Sequence, residues 1–168
     1  MLSAVLYFLA SAIFVDFVGY WLHRWSHRPW SPLHRPHMTH HVINYPPRSF
    51  FSSKYRSAGS DSLAIWFAPF GVIYAATILL LGVPHAIPIL LGGALVAVLS
   101  SVAHELTHIT GSIVWKKKIF LGIAARHHLH HFKMGRNFGI ITGVWDVIFR
   151  TRRSQVSSNR SNNRPYDQ

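Results

Sequence analysis

The chain has 168 residues, no cysteine, and 17 Lys and Arg against five Asp and Glu, for a net charge of +12. That length suits one domain, and the lack of cysteine excludes a disulfide framework, a thiolate metal site and a thiol nucleophile. The charge does not point to nucleic acid: every Lys and Arg falls within residues 24–56 or from residue 116 onward, beside long uncharged runs, as the inner loops of a membrane protein would carry them.

The first apolar run covers residues 2–22 and is interrupted only by Asp16. It lacks a basic leader and continues directly into His23, so it reads as a retained helix and not a cleaved signal. Asp16, Tyr20, His23 and His27 recur at helical spacing and form one stripe. A carboxylate inside an apolar helix is costly unless paired. Asp16 is expected to accept a hydrogen bond from the free ring N–H of a metal-bound histidine, with Tyr20 adding a second bond; the plainer alternative is pairing with an arginine. Pro29, Pro32 and Pro36 then break the helix and let His37, His40 and His41 fold back toward the His23–His27 pair. Residues 44–56 are aromatic, basic and proline-bearing, which suits a segment at the lipid headgroup level. Ser60 and Asp61 resemble an N-cap.

Residues 62–83 and 86–103 carry no charge, and each is near the roughly 20 residues needed to cross a bilayer. They are expected to form a hairpin around residues 82–85, with His85 in the turn and away from the other histidines. On the third run Gly93, Ala97, Ser100, His104 and His108 share a stripe, so the helix would extend beyond the membrane to present its histidines. Lys116, Lys117 and Lys118 mark an interface. Residues 137–149 can form an amphipathic interfacial piece. The Ser-, Asn- and Arg-rich residues 152–168 read as a disordered basic tail behind a membrane domain of residues 1–151. The fold expected is all-α: an integral membrane bundle of about three transmembrane helices with a histidine-rich helical cap. By the positive-inside rule the cap is cytoplasmic, in either a bacterial inner membrane or the endoplasmic reticulum.

The histidines fall in four boxes: His23/His27, His37/His40/His41, His104/His108 and His127/His130/His131. Pairs four apart and triples at i, i+3 and i+4 put imidazoles on one helical face, and imidazole suits zinc, iron, copper and nickel. Zinc ordinarily takes four ligands, so ten histidines are too many for one metal and about right for two. His34 lies across Pro36 from its neighbours and His128 lies off the face of its triple, so neither is expected to be a ligand. Two other chemistries stay open. His104-Glu105-Leu106-Thr107-His108 is a literal H-E-x-x-H, which in a membrane zinc metalloprotease would use Glu105 as general base. A metal transporter is the other, although transporters place such residues at the bilayer midplane.

The pattern resembles the membrane fatty acid hydroxylase superfamily, which includes sterol desaturases, C4-methyl sterol oxidases, fatty acid 2-hydroxylases and carotenoid hydroxylases. The resemblance runs from Asp16 to Thr151. Its motifs are Asp16, Tyr20-Trp-Leu-His23-Arg-Trp-Ser-His27, His37-Met-Thr-His40-His41, Thr107-His108, His127-His128-Leu-His130-His131, and Asn137-Phe-Gly139 with Trp145-Asp146, Phe149 and Thr151. The part from Thr107 onward is most similar to the fatty acid 2-hydroxylases. The resemblance implies a non-haem di-iron centre that uses O2 and two external electrons to hydroxylate or desaturate a lipid C–H bond, most simply on a fatty acyl chain taken from the bilayer. It implies His23, His27, His37, His40, His41, His108, His127, His130 and His131 as ligands, with His104 standing in for a partner that the 2-hydroxylases carry at the position of Ser112. His128, Asn137 and Asp146 would support these ligands from behind. Zinc could replace iron in purified protein. Two departures bear on function. The family has a further membrane helix before the first box, and no cytochrome domain is fused here, so a separate cytochrome b5-like or ferredoxin-like donor is implied.

Overall fold

A computed structural model describes residues 2–56 and 63–154, of which 63–69 by backbone alone. The expected cap at Ser60 and Asp61 lies outside the described residues, as do residues 155–168 of the predicted tail. The described chain is helical: α1 (Leu2–Ser26), α2 (His34–Thr39), α3 (Leu63–Leu81), α4 (Val83–Thr107), α5 (Ile113–Lys116), α6 (Lys118–Phe132) and α7 (Val144–Ile148). A π-helical turn, His40–Asn44, continues α2, and a 3₁₀ turn, Pro47–Ser49, follows it. The one ladder-like contact among the described residues is an isolated parallel bridge between Ser52 and Ile109.

Two of these helices, α1 and α4, are long and apolar enough to cross a membrane. At 25 residues each they measure about 37 Å. Large apolar side chains such as Leu9, Ile13, Leu91 and Val98 face outward on both. Where three spans are expected, α3 is a 19-residue uncharged helix that counts as a shorter apolar helix over Phe70–Leu81. The break between α3 and α4 is tighter than the expected 82–85 turn. Gly82 adopts φ 78°, a left-handed conformation natural to glycine, and α4 starts at once with Pro84 in its first turn. His85 therefore sits on α4, with its Nδ1 2.9 Å from Leu81 O and its ring edge-on to Tyr7.

Two glycines set the α1–α4 contact. A side chain at Gly92 would collide with Phe8 O, and one at Gly93 would collide with the Tyr74 hydroxyl and press on Ser11 and Val15. Their absence lets the backbones approach closely, as small residues do between membrane helices, and Ser11 Oγ donates to Ile89 O at 2.6 Å across the joint. The two helices run in the same direction, and their histidine-bearing C-terminal ends, His23 on α1 and His104 on α4, emerge at the same end of the molecule.

Three other expectations change. Residues 44–56 do not lie on the surface throughout: Tyr45 is 0% and Phe50 2% exposed, and both pack against histidines. The expected 137–149 interfacial helix is a loop followed by the short α7, whose Asp146 is buried. The first tail residues are tied down, Arg152 N donating to Asp146 O and Arg153 N to Asn137 Oδ1.

Gly92→Val should destabilise the bundle by about 1–3 kcal/mol through overpacking, read as a lower unfolding temperature in detergent. Gly19→Ala is the matched control, because a Cβ there meets nothing within 4 Å and should leave that temperature unchanged or slightly raised.

Candidate metal centre

The ten box histidines converge between the ends of α1 and α4, under α2 and α6. Two groups could each hold a metal ion. His23, His27, His37, His41 and His130 form one, and His40, His104, His108 and His127 form the other; within each group the ring nitrogens lie within 4.8 Å of one another. His131 stands at the junction, with its ring centroid 4.1 Å from that of His41, 4.8 Å from His108 and 5.0 Å from His40. Its Nε2 is 3.2 Å from His127 Nε2.

The grouping differs from the simplest reading of the boxes. A triple at i, i+3 and i+4 does not serve a single site. The i and i+4 members of the first triple, His37 and His41, join the His23–His27 pair, and the i+3 member, His40, crosses to the other group. The second triple mirrors this. His127 joins the His104–His108 pair, with His131 beside it, and the i+3 member, His130, crosses back. Each triple thus straddles both sites. The π-helical turn that contains His40 and His41, closed by Tyr45 N donating to His40 O, supplies this rotation on one side.

The ring tautomers follow from the main chain. His23 Nδ1–H donates to Phe138 O (2.6 Å), His130 Nδ1–H to Arg136 O (2.6 Å), His131 Nδ1–H to Tyr45 O (2.9 Å) and His108 Nδ1–H to Phe50 O (3.1 Å). A carbonyl only accepts, so each Nδ1 carries the proton and each Nε2 keeps its lone pair. Nε2 atoms of the box histidines crowd together. His27 and His37 approach to 2.9 Å, His27 and His130 to 3.0 Å, His37 and His41 to 3.0 Å, and His108 and His127 to 3.0 Å. Two neighbouring nitrogens bound to one ion at about 2.1 Å and a right angle lie about 3.0 Å apart. Where both nitrogens of such a pair carry lone pairs, they repel at that spacing unless a cation lies among them. The Nε2 of His23, buried and with no hydrogen-bond partner, fits the same requirement. The donors are all nitrogen, a set that iron and zinc both accept.

Burial prepares these rings chemically. Loss of solvent, then the neighbouring imidazoles, lower His27 to about 3 and, with burial again the larger cause, His108 to about 3. Burial likewise holds His37, His127 and His130 well below the usual histidine range. All are neutral at ordinary pH, the form that binds metal.

Behind the rings stands a second layer that corrects several expected roles. Asp16 Oδ2 accepts from Thr142 Oγ1 (2.6 Å) and Trp145 Nε1 (2.8 Å), not from a histidine. Tyr20 O–H donates to Thr151 Oγ1 at 3.0 Å, and Thr151 Oγ1 donates to Asp146 Oδ1 at 2.7 Å. Asp146 in turn accepts from the N–H groups of Phe138 and Gly139. Asn137, at φ 55°, bonds Thr151 and Arg153. Tyr20, Asn137 and Asp146 therefore hold the loop whose carbonyls orient His23 and His130, one step further from the histidine rings than expected. His128 packs among Phe50, Phe51, Trp115 and Phe132 and belongs to neither group, as does His34, whose Nδ1–H donates to Ser26 O. Glu105 enters neither group, and Ser112 Oγ donates to Leu106 O. Sequence reasoning missed Tyr55, whose hydroxyl lies 3.3 Å from His104 Nδ1, and the carbonyls of Tyr45, Phe50, Arg136 and Phe138. No side-chain signal marks a carbonyl; the aromatic run 44–56 was the available clue.

Asp146→Ala should release the Phe138 and Gly139 amides and lower metal retention about 10- to 100-fold, as other losses behind a ligand do, measured by chelator competition. Acid should act in a defined direction. Between the ordinary value of 6.5 and about 3 for His27 and His108, the unfolded chain binds protons that the folded chain does not. Stability therefore falls as pH falls through that window. Unfolding temperatures of metal-free protein from about pH 8 to about pH 5 should be flat above neutrality and drop below 6.5.

No curated protein and no solved structure matches this chain. A family model described as Fatty acid hydroxylase matches residues 8–151, a span that contains every box and the Asn137–Thr151 loop. With most of its length matched, this chain is a member of the fatty acid hydroxylase family, within the fatty acid hydroxylase/sterol desaturase superfamily.

Proposed function

We propose that the chain is an O2-dependent non-haem di-iron oxygenase of the membrane that hydroxylates or desaturates a C–H bond of a lipid, a fatty acyl chain above all. Family membership makes it an oxidoreductase of the lipid hydroxylase and desaturase kind. The observation that carries the finer reading is the pair of adjacent histidine groups. One ion would be held by His23, His27, His37, His41 and His130, the other by His40, His104, His108 and His127 with His131. Two irons, given O2 and two electrons from a separate cytochrome b5-like or ferredoxin-like protein, supply the oxidising power that an unactivated C–H bond requires.

The residues of the chain have their own tasks. Phe138 O, Arg136 O, Tyr45 O and Phe50 O fix four rings in the metal-binding tautomer. His40, His41, His108 and His130 are 0% exposed, so bulk water is kept from the reacting centre. The apolar outer faces of α1 and α4 suit a bilayer, and α3 would be a third span. Arg24, Arg28 and Lys116–118 flank the histidine end, which by the positive-inside rule is cytoplasmic.

Metal analysis tests the reading directly. Purified protein should hold close to two metal ions per chain, iron in the active form, and zinc occupying the same imidazoles when iron is scarce. One zinc per chain, with peptide hydrolysis lost in Glu105→Gln, would overturn it in favour of H-E-x-x-H chemistry. His130→Ala should strip metal and lipid oxidation together, whereas His128→Ala should keep most of the metal. For topology, the absence of native cysteine allows single reporters: Val83→Cys should label from the non-cytoplasmic side and Ser154→Cys from the cytoplasmic side. Labelling of both from one side would contradict three spans.

A further inference from the structure

A second stripe runs along α1. Phe17, Trp21 and Arg24 lie one residue on from Asp16, Tyr20 and His23, about 100° around the helix from them. Trp25 and Arg28, each four residues further, extend this stripe past the histidine end. The helix stops at Ser26, and Pro29 cannot continue it. Arg28 N donates to Trp25 O at 2.8 Å and Ser31 N to Arg28 O at 2.9 Å. These turns fold Trp30 back until its ring centroid lies 6.0 Å from that of Trp25.

The result is a groove of about 430 Å³, within the roughly 300–1,000 Å³ of small-molecule sites. Phe17, Val18, Trp21, Trp25 and Trp30 give it apolar walls, and Arg24 and Arg28 are the charged residues that line it. Trp21 is 40% and Trp30 73% exposed. Indoles left open at the end of an apolar span sit where a bilayer places its headgroups, so lipid is what covers them. The arginines select which lipid. Half-buried Arg24 donates one N–H to the Tyr20 hydroxyl at 3.3 Å and lies 5.1 Å over the Trp21 ring; a guanidinium has five such donors. Arg28 is exposed. The carboxylates of Asp16 and Asp146 are turned onto Thr142, Trp145 and the 138–139 amides, which leaves the two cations to be answered from outside.

We propose that this groove binds one phospholipid of net negative headgroup charge from the leaflet at the histidine end. Arg24 and Arg28 take its phosphate, an anion that guanidinium groups bind in paired hydrogen bonds, and a hydrocarbon tail lies along Phe17, Val18 and Trp21. A zwitterionic headgroup would bring an ammonium to the same two cations, so net charge decides the choice. The Arg24–Tyr20 bond sets the headgroup beside the Tyr20–Thr151–Asp146 relay. The site requires α1 to cross the bilayer and owes nothing to the chemistry at the histidines.

Native mass spectrometry of detergent-purified protein, titrated with phosphatidylglycerol or with phosphatidylcholine of the same acyl chains, tests this. Wild type should take up one phosphatidylglycerol at least about fivefold more tightly than phosphatidylcholine, and Arg28→Gln should lose about fivefold for phosphatidylglycerol alone, the worth of one basic contact to an anionic lipid. Trp30→Ala should weaken both lipids. Arg48→Gln removes the same charge from an exposed position outside the groove and should change neither. Arg28 and Trp30 are exposed, and an unfolding temperature in plain detergent equal to that of wild type separates lost lipid from a lost fold. Equal affinity of wild type for the two lipids, equal losses in Arg48→Gln and Arg28→Gln, or displacement of phosphatidylglycerol by inorganic phosphate would overturn the assignment. Release of the protein from membranes by alkaline carbonate would sink the membrane reading and the lipid site together. Protein retained by the membrane but indifferent to headgroup charge sinks the site alone.

Discussion

The structure depends on packing ten imidazoles together, most of them buried. An imidazole that loses its hydration cannot easily hold a proton, and here each ring is also surrounded by others. The nearby carboxylates are already engaged: half-buried Asp16 by Thr142 and Trp145, and buried Asp146 by the amides of Phe138 and Gly139. His27, His37, His108, His127 and His130 stay neutral, and the polar N–H groups of the cluster need acceptors that bring no net charge. Main-chain carbonyls answer that need at His23, His108, His130 and His131. A carbonyl also fixes the tautomer, so desolvation and metal readiness have one cause.

That demand explains the irregular segments. Carbonyls inside α-helices are already used by the helix, so the acceptors come from places where the helical pattern stops. Phe50 O follows the 3₁₀ turn, Tyr45 O follows the π-helical turn, and Arg136 O and Phe138 O lie in the loop after α6. Each irregular piece is then held by its own ties. Asn137 at positive φ, Gly139 pressed against Thr142 O, and the Tyr20–Thr151–Asp146 relay fix the last loop. Pairing of Ser52 with His108 and Thr110 fixes the segment that carries Phe50.

The apolar half of the molecule answers a different need. Gly92 and Gly93 allow α1 and α4 to touch along their length, which brings His23 and His104 to one level. A short step away Gly19 and Ala97 leave room beside the same rings. Close packing at one point of the helix pair and open space at another are both produced by small residues; what differs is whether a neighbouring backbone fills the gap.

Much of this was legible from residue order alone. Long uncharged runs dictate apolar helices in any context, because no other backbone arrangement satisfies its own polar groups in an apolar setting. Histidines at i, i+3 and i+4 announce a metal-binding face for the same local reason, and all ten members of the four boxes do converge. What residue order left open is which ring joins which partner. Helical spacing placed His37, His40 and His41 on one face, but the π-helical turn and the facing α6 divide them between two groups, as they divide His127 and His130. The role of Asp16 was likewise decided elsewhere: its partners, Thr142 and Trp145, lie 126 and 129 residues away, and the carbonyls that orient the rings of His23 and His131 lie 115 and 86 residues away. Sequence determines which chemical groups exist and on which local face they lie, since those depend on backbone periodicity. Pairing between faces depends on how separate helices pack, and only the tertiary structure decides that.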